Sequence, residues 1–274
     1  RNGAHYNEVR NSTFELGAPG TTYTAAFIGA WGSPGTNAST NNWIHDNTFS
    51  RVGDIVNCDD MGTHIRIGWG NADQSDHNTI EDNLFEYAGH DLIDVAGRFQ
   101  VLRNNVFHNE DAYFVDPGGC PNSGTSSGHF GNRNILLQYY ASTDIAGDSL
   151  IESNRVGHAG TPPDDDGSMG VQISSPRNIV RYNDVFASGG TGIDFKSSFR
   201  ANDNRVYNNT VFHSGRGDIS VWGDLWKAGV HVACAYTGNV FMNNIVYDNL
   251  TANYKTSGAC SVSTATTVNN DFRS

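Results

Sequence analysis

The 274-residue chain contains no apolar run approaching the ~20 residues that a membrane-spanning helix needs, and it opens with no signal peptide. Positive charge is scarce: 17 Lys and Arg stand against 29 Asp and Glu, for a net charge of −12. That balance disfavours nucleic acid as a partner, because such binding depends on cations that neutralise phosphates. It also means that a polyanionic ligand needs a local cationic patch or a bound metal. Only four cysteines are present and no C-x-x-C occurs, which argues against a structural zinc site. Helical periodicity is missing along the whole chain.

Glycine, at 31 residues, and asparagine are abundant, which suits many tight corners. The stretch 191–213 shows why. Two short runs alternate apolar and polar residues, Ile193-Asp194-Phe195-Lys196-Ser197 and Arg205-Val206-Tyr207-Asn208-Asn209-Thr210-Val211. Such alternation suits strands with one buried face. Asn209 sits between the inward candidates Val206 and Val211, where an asparagine tolerates the left-handed conformation of a sharp corner.

The same unit recurs: an apolar residue, Asn three positions on, and an apolar residue two further. It occurs as Ile44, Asn47, Phe49; Ile80, Asn83, Phe85; Leu102, Asn105, Phe107; Ile151, Asn154, Val156; Val180, Asn183, Val185; and Phe241, Asn244, Val246. Weaker copies are Val9, Ser12, Phe14 and Thr267, Asn270, Phe272. Successive asparagines of the strong copies lie 36, 22, 49, 29, 26 and 35 residues apart. A minimum of 22 with additive insertions is the spacing of a solenoid with variable loops. Because the units are strand plus strand, a parallel β-helix is expected, all-β, in about seven to eight coils that form a single domain over 1–274. Arg1 reads as the end of a coil, so a mature or trimmed chain lacking an N-terminal cap is expected, with the open sheet edge there in need of cover.

The signature Asn204-Arg205-Val206-Tyr207-Asn208-Asn209-Thr210-Val211, preceded by Gly192-Ile193-Asp194-Phe195-Lys196, resembles the repeat of the pectate-lyase-like right-handed parallel β-helix superfamily. The resemblance covers about residues 7–272. It is specific for fold and not for reaction, since the superfamily holds lyases, hydrolases, epimerases, esterases, tailspikes and non-catalytic surface proteins.

The strand Ile193-Asp194-Phe195-Lys196 serves as a template for the strand that opens each coil. It aligns Phe27-Ile28-Gly29, Ile65-Arg66-Ile67, Ile93-Asp94-Val95, Leu137-Gln138-Tyr139, Val171-Gln172-Ile173 and Val230-His231-Val232. The first and third positions should stack inside. The second, carrying Arg66, Asp94, Gln138, Gln172, Asp194 and His231, should face out. A continuous polar row suits a chain-like ligand such as a polysaccharide; an ordinary solvated face is the alternative. Long loops at 50–63, 109–132, 157–169 and 214–229 precede opening strands and should wall one flank of the row. Trp69, and Trp222 and Trp226 in the last of these loops, suit stacking on sugar rings, or packing within the loops.

Spacing sorts the candidate chemistry. Asp94 and Asp194 lie three coils apart, roughly 14 Å, too far for a glycosidase carboxylate pair, which needs about 5–9.5 Å. Asp94 is expected to pair with Arg66. Asp194 has Gln172 on one side, His231 on the other and Lys196 two residues along, a set sufficient for general acid–base work. Asp194 should hold Lys196 charged, which suits a substrate carboxylate better than proton abstraction. His64 with Asp59, Asp60 and Arg66 is a second candidate group. The run Asp164-Asp165-Asp166-Gly167 offers Asp164 and Asp166 as ligands for a calcium ion, or a solvated turn. Cys58 with Cys120 and Cys234 with Cys260 are the expected disulfides among three connectivities, fitting an oxidising compartment; buried free thiols are the alternative.

The segment from Lys196 to Thr210 also resembles the part of the family-six polysaccharide lyases that bears their catalytic lysine. That resemblance implies that Lys196 takes the proton alpha to a uronate carboxylate, that an arginine one coil later supplies the acid, and that calcium neutralises the carboxylate. The arginine's position holds Trp222, with Arg216 and Arg200 elsewhere nearby. The functions expected are therefore a secreted lyase cleaving a uronic-acid polymer by β-elimination, a glycoside hydrolase using Asp194 with a loop carboxylate, or a non-catalytic glycan-binding protein in an oligomeric form.

Overall fold

The computed structural model describes residues 4–15, 26–30, 39–52, 63–68, 75–88, 91–109, 133–138, 146–159, 169–195, 201–215, 227–233, 237–257 and 265–273. Every element among them is a strand of three to five residues, and every strand pairing is parallel. The strands stack into three sheets. The first has nine strands, from Glu8–Arg10 to Ala265–Val268. The second also has nine, from Thr13–Glu15 to Asp271–Arg273, and the third has eight, from Ala26–Ala30 to Tyr254–Ser257. The chain is a right-handed parallel β-helix.

Each repeat supplies one inward residue to the first sheet and one to the second, two positions past the asparagine. Ile44, Ile80, Leu102, Ile151, Val180, Val206 and Phe241 are in register on the first sheet and buried. On the second, Phe14, Phe49, Phe85 and Phe107 stack ring on ring at 4.7, 4.9 and 5.0 Å. The weaker end copies obey the same register, with Val9 beside Ile44 and Phe272 beside Val246.

Between these two sheets runs an asparagine ladder. The amide Nδ2–H of Asn47 donates to Oδ1 of Asn83, and the pattern repeats from Asn83 to Asn105, Asn154, Asn183, Asn209, Asn244 and Asn270 at 2.9–3.1 Å. The same Oδ1 also accepts a backbone N–H from the preceding coil, as Asn183 Oδ1 does from Asn154 N. The second amide hydrogen goes to a carbonyl of the preceding coil, so Asn183 Nδ2 also reaches Ile151 O. Left-handed geometry falls one residue earlier than the sequence suggests. Asp46, Asp82, Asn104, Ser153, Tyr182, Asn208 and Asn243 have φ between 54° and 56°. The ladder asparagines are absent from the positive-φ positions; their side chains satisfy the corner's backbone groups instead.

In the five-residue strands Thr63–Ile67 and Asp91–Val95 of the third sheet the chain turns a corner after the second residue. His64 and Leu92 point inward, and so do Ile65 and Ile93 after them. Further along, this corner position is glycine: at Gly192 an added Cβ would lie 2.5 Å from the Val211 side chain and 2.7 Å from Gly229 O. The next residue but one, Arg66, Asp94, Gln172, Asp194 or His231, then falls on the outward face.

Candidate functional site

The outward row of the third sheet runs, in register, through Gly29, Arg66, Asp94, Leu136, Gln172, Asp194, His231 and Lys255. Two sequence expectations are corrected here. Gln138 is not in the row: Leu136 sits between Asp94 and Gln172, and Gln138 lies two residues further along the same strand direction. Ile28 pairs with Ile65, so the first strand contributes Gly29 to the row. The row is also not an open stripe. Arg66 is 7% exposed, Gln172 2%, and Asp94, Asp194 and His231 0%.

Buried polar groups at this density need partners, and the row finds them in two residues that the alternation pattern does not mark. Asp91 and Arg133 stand three positions before Asp94 and Leu136, just ahead of the corner, and are in register with each other. Arg133 Nε donates to Asp91 Oδ1 at 2.6 Å, and its Nη1 donates to Gln172 Oε1 at 3.1 Å. The guanidinium thereby bridges the apolar gap at Leu136. On one side, Arg66 Nε and Nη2 each donate to Asp94 Oδ2 at 2.8 Å, which is the expected ion pair. On the other, Gln172 Nε2 donates to Asp194 Oδ2 at 3.0 Å. Asp91 stands directly before an apolar pair, Leu92-Ile93, whereas Arg133 stands before Asn134-Ile135, so no common sequence signal marks the two positions.

The electrostatics differ along the chain of contacts. Burial raises the Asp94 carboxyl above its ordinary value; Arg66 opposes that, the nearby Asp91 carboxylate adds to it, and Arg133 opposes it. Toward the C-terminal end, Asp194 Oδ1 faces His231 Nδ1 at 2.7 Å, and His231 Nε2 faces Ser257 Oγ at 2.9 Å. With a carboxylate at Nδ1, that nitrogen carries the proton, and in the neutral ring Nε2 accepts from the serine hydroxyl. Ser257 is half-buried. Sequence reasoning missed it because it is in register with Ala233, one diagonal step from His231.

His64 does not join Arg66. Its ring lies in the core, 6.0 Å from the Phe49 ring and 6.1 Å from that of Phe85, and Nε2–H donates to Glu86 O at 2.8 Å. Burial lowers its pKa to about 3, with the backbone bond opposing. Lys196, Trp69, Trp222, Trp226, Asp164, Asp166, Asp59, Asp60 and all four cysteines lie outside the described residues. Among the described residues, no three His, Cys, Asp or Glu side chains gather to hold a metal ion.

No protein-family model matches the chain, and no curated protein matches it. Solved structures do. A mutant of the periplasmic alginate epimerase AlgG aligns with TM-score 0.54 at 16% identity over 96% of this chain and 50% of its own. The A-module of the Azotobacter vinelandii mannuronan C-5 epimerase AlgE4 aligns with TM-score 0.54 at 13% identity over 87% of this chain and 62% of its own. Pectate lyase Pel9A aligns with TM-score 0.51 at 12% identity over 98% of this chain and 72% of its own. The chain thus spans half the length of the first and under two thirds of the second. Together with the three parallel sheets and the asparagine ladder, these likenesses identify the fold as a right-handed parallel β-helix.

Proposed function

We propose that this protein is a secreted enzyme that removes the C5 proton of a uronic-acid residue in a polysaccharide, with β-elimination as the outcome. The observation that carries the reading is the Asp194–His231 pair, 2.7 Å apart on the outward face of the third sheet. A carboxylate at Nδ1 fixes the tautomer, leaves a lone pair on Nε2 and stabilises the imidazolium that forms when that nitrogen takes a proton. Gln172 holds the other oxygen of Asp194 and so fixes the carboxylate. Substrate displaces the Ser257 hydroxyl from Nε2. The hydrogen alpha to a uronate carboxylate is acidic enough for this only when the carboxylate's charge is offset. Lys196, two residues past Asp194, and Lys255, beside His231 on the same face, are the cations of the proposal; calcium held by Asp164 and Asp166 is a further means.

The fold neighbours support this chemistry, since two are uronan epimerases and one is a pectate lyase. Elimination and epimerisation share the proton abstraction and part afterwards. The epimerase neighbours therefore favour a second reading, in which the carbanion is reprotonated from the opposite face. A glycoside hydrolase pairing Asp194 with Asp164 or Asp166 is the alternative, and reducing ends that appear without an unsaturated chromophore report it. The test is incubation with alginate, pectate and chondroitin, with and without calcium, in D2O. Absorbance from an unsaturated uronate reports elimination, and deuterium at C5 without that chromophore reports epimerisation. Neither signal on any polymer rejects the proposal.

A further inference from the structure

We propose that Ser257, His231 and Asp194 form a nucleophilic triad that hydrolyses acyl esters, with an ester-bearing sugar polymer as substrate. The triad stands on its own geometry; only the choice of a sugar rests on the function proposed above. Nucleophilic catalysis by serine requires a hydroxyl within about 2.6–3.2 Å of a base, and a third group that orients the base. Ser257 Oγ is 2.9 Å from His231 Nε2, and His231 Nδ1 is 2.7 Å from Asp194 Oδ1. Each nitrogen therefore faces the partner that this chemistry assigns to it. The second oxygen of Asp194 is held by Gln172 at 3.0 Å, so the carboxylate cannot rotate away from the ring.

Burial grades in the useful direction. Asp194 and His231 are 0% exposed, and the half-buried Ser257 is the member at the boundary. The three residues come from three successive strands, and Tyr254–Ser257 is the last described strand of the sheet. Lys255, two residues before Ser257 and in register with His231, places a cation on the same outward face to stabilise a developing oxyanion.

The balance is that of acyl transfer to water. The Oγ–H proton passes to Nε2 as Oγ bonds to the acyl carbon. The bond from that carbon to the sugar oxygen then breaks, and the sugar oxygen leaves with the proton from Nε2. Water attacks the acyl-serine and gives its proton to Nε2. Oγ departs as it regains that proton, and a carboxylic acid is released. No oxidant or other co-reactant is needed.

The experiment uses the full chain. It is treated with a fluorophosphonate, and the adduct is mapped by mass spectrometry. Hydrolysis of 4-nitrophenyl acetate and acetate release from an O-acetylated uronan are followed in parallel. The expected result is one phosphonyl adduct on Ser257, absent in His231→Ala, with ester hydrolysis falling on the order of 10³-fold or more in Ser257→Ala. No adduct on Ser257 of the unsubstituted, folded chain overturns the triad, whether or not Ser257→Ala folds. Acetate release unaffected by Ser257→Ala overturns it too. An adduct with 4-nitrophenyl acetate hydrolysis but no release from polymer keeps the triad and overturns the sugar. C5 exchange is scored on the same preparation, so failure of the proposed function and failure of the triad are read separately.

Discussion

The Arg133 guanidinium donates to Gln172 Oε1 at 3.1 Å, while its other nitrogens hold Asp91. One side chain thereby joins the Arg66–Asp94 half of the outward row to the Gln172–Asp194–His231 half, across the strand where the row itself carries Leu136. Arg133→Met takes the guanidinium away from the buried Asp91 carboxylate and is expected to lower stability by about 3–5 kcal/mol. Arg133→Lys keeps the charge and loses the fork, so it should fall between. Urea unfolding of the three proteins measures this, and equal stability for all three would contradict the bridging role.

Asp194 and His231 are expected to act as one unit. His231→Ala and Asp194→Asn should each lower kcat on the uronan substrate by about 10²–10⁴-fold, the usual share of a positioned acid–base group. The double variant should lose little more than the worse single one. Steady-state kinetics on purified, folded variants checks this, and additive losses would show that the two residues work separately.

His64 gives the fold a pH dependence of definite sign. Its pKa is lowered to about 3 in the folded chain and is about 6.5 when unfolded. Stability from this group is therefore complete above the unfolded value and is lost as pH falls toward the folded one. Between pH 7 and pH 5 the loss is about 2 kcal/mol. His64→Gln keeps an N–H for Glu86 O and does not titrate, so its stability should be flatter over that range. Urea midpoints at several pH values decide it.

The ladder should be intolerant in the middle. Asn183 donates to Ile151 O, Arg181 O and Asn209 Oδ1, and it accepts from Asn154. Asn183→Leu strands several buried groups at about 1–3 kcal/mol each. A loss of several kcal/mol is expected, against under about 1 kcal/mol for Ser12→Ala in the weaker first copy, whose hydroxyl donates to Arg10 O at 3.0 Å in an exposed position. Thermal unfolding compares the two.

The repeat is legible in the sequence because the ladder asparagines carry the register: every strong and weak copy falls where the apolar–Asn–apolar pattern puts it. The left-handed position differs from expectation by one residue because spacing marks a corner without saying which of two neighbours bends. Gln138 looks like a better member of the row than Leu136 because Ile135-Leu136-Leu137 is apolar throughout, and alternation cannot set a register in such a run. Side-chain alternation correctly assigns the outward face to Arg66, Gln172 and His231. It is blind to cover over that face, so burial of the row has no signature in the pattern. Ser257 is invisible to it as well, because a diagonal contact between strands leaves no trace in a straight alignment.

Every ladder asparagine from Asn47 to Asn244 offers the next coil two donors and asks of it one acceptor. Successive coils are therefore interchangeable at their junctions, and the chain between two ladder asparagines is free to be 22 residues long or 49. Duplication or excision of a whole turn preserves the seam, whereas a change within a turn must be absorbed by its loops. The molecule can thus evolve in length by modules while the side chains that meet on its third sheet keep their places.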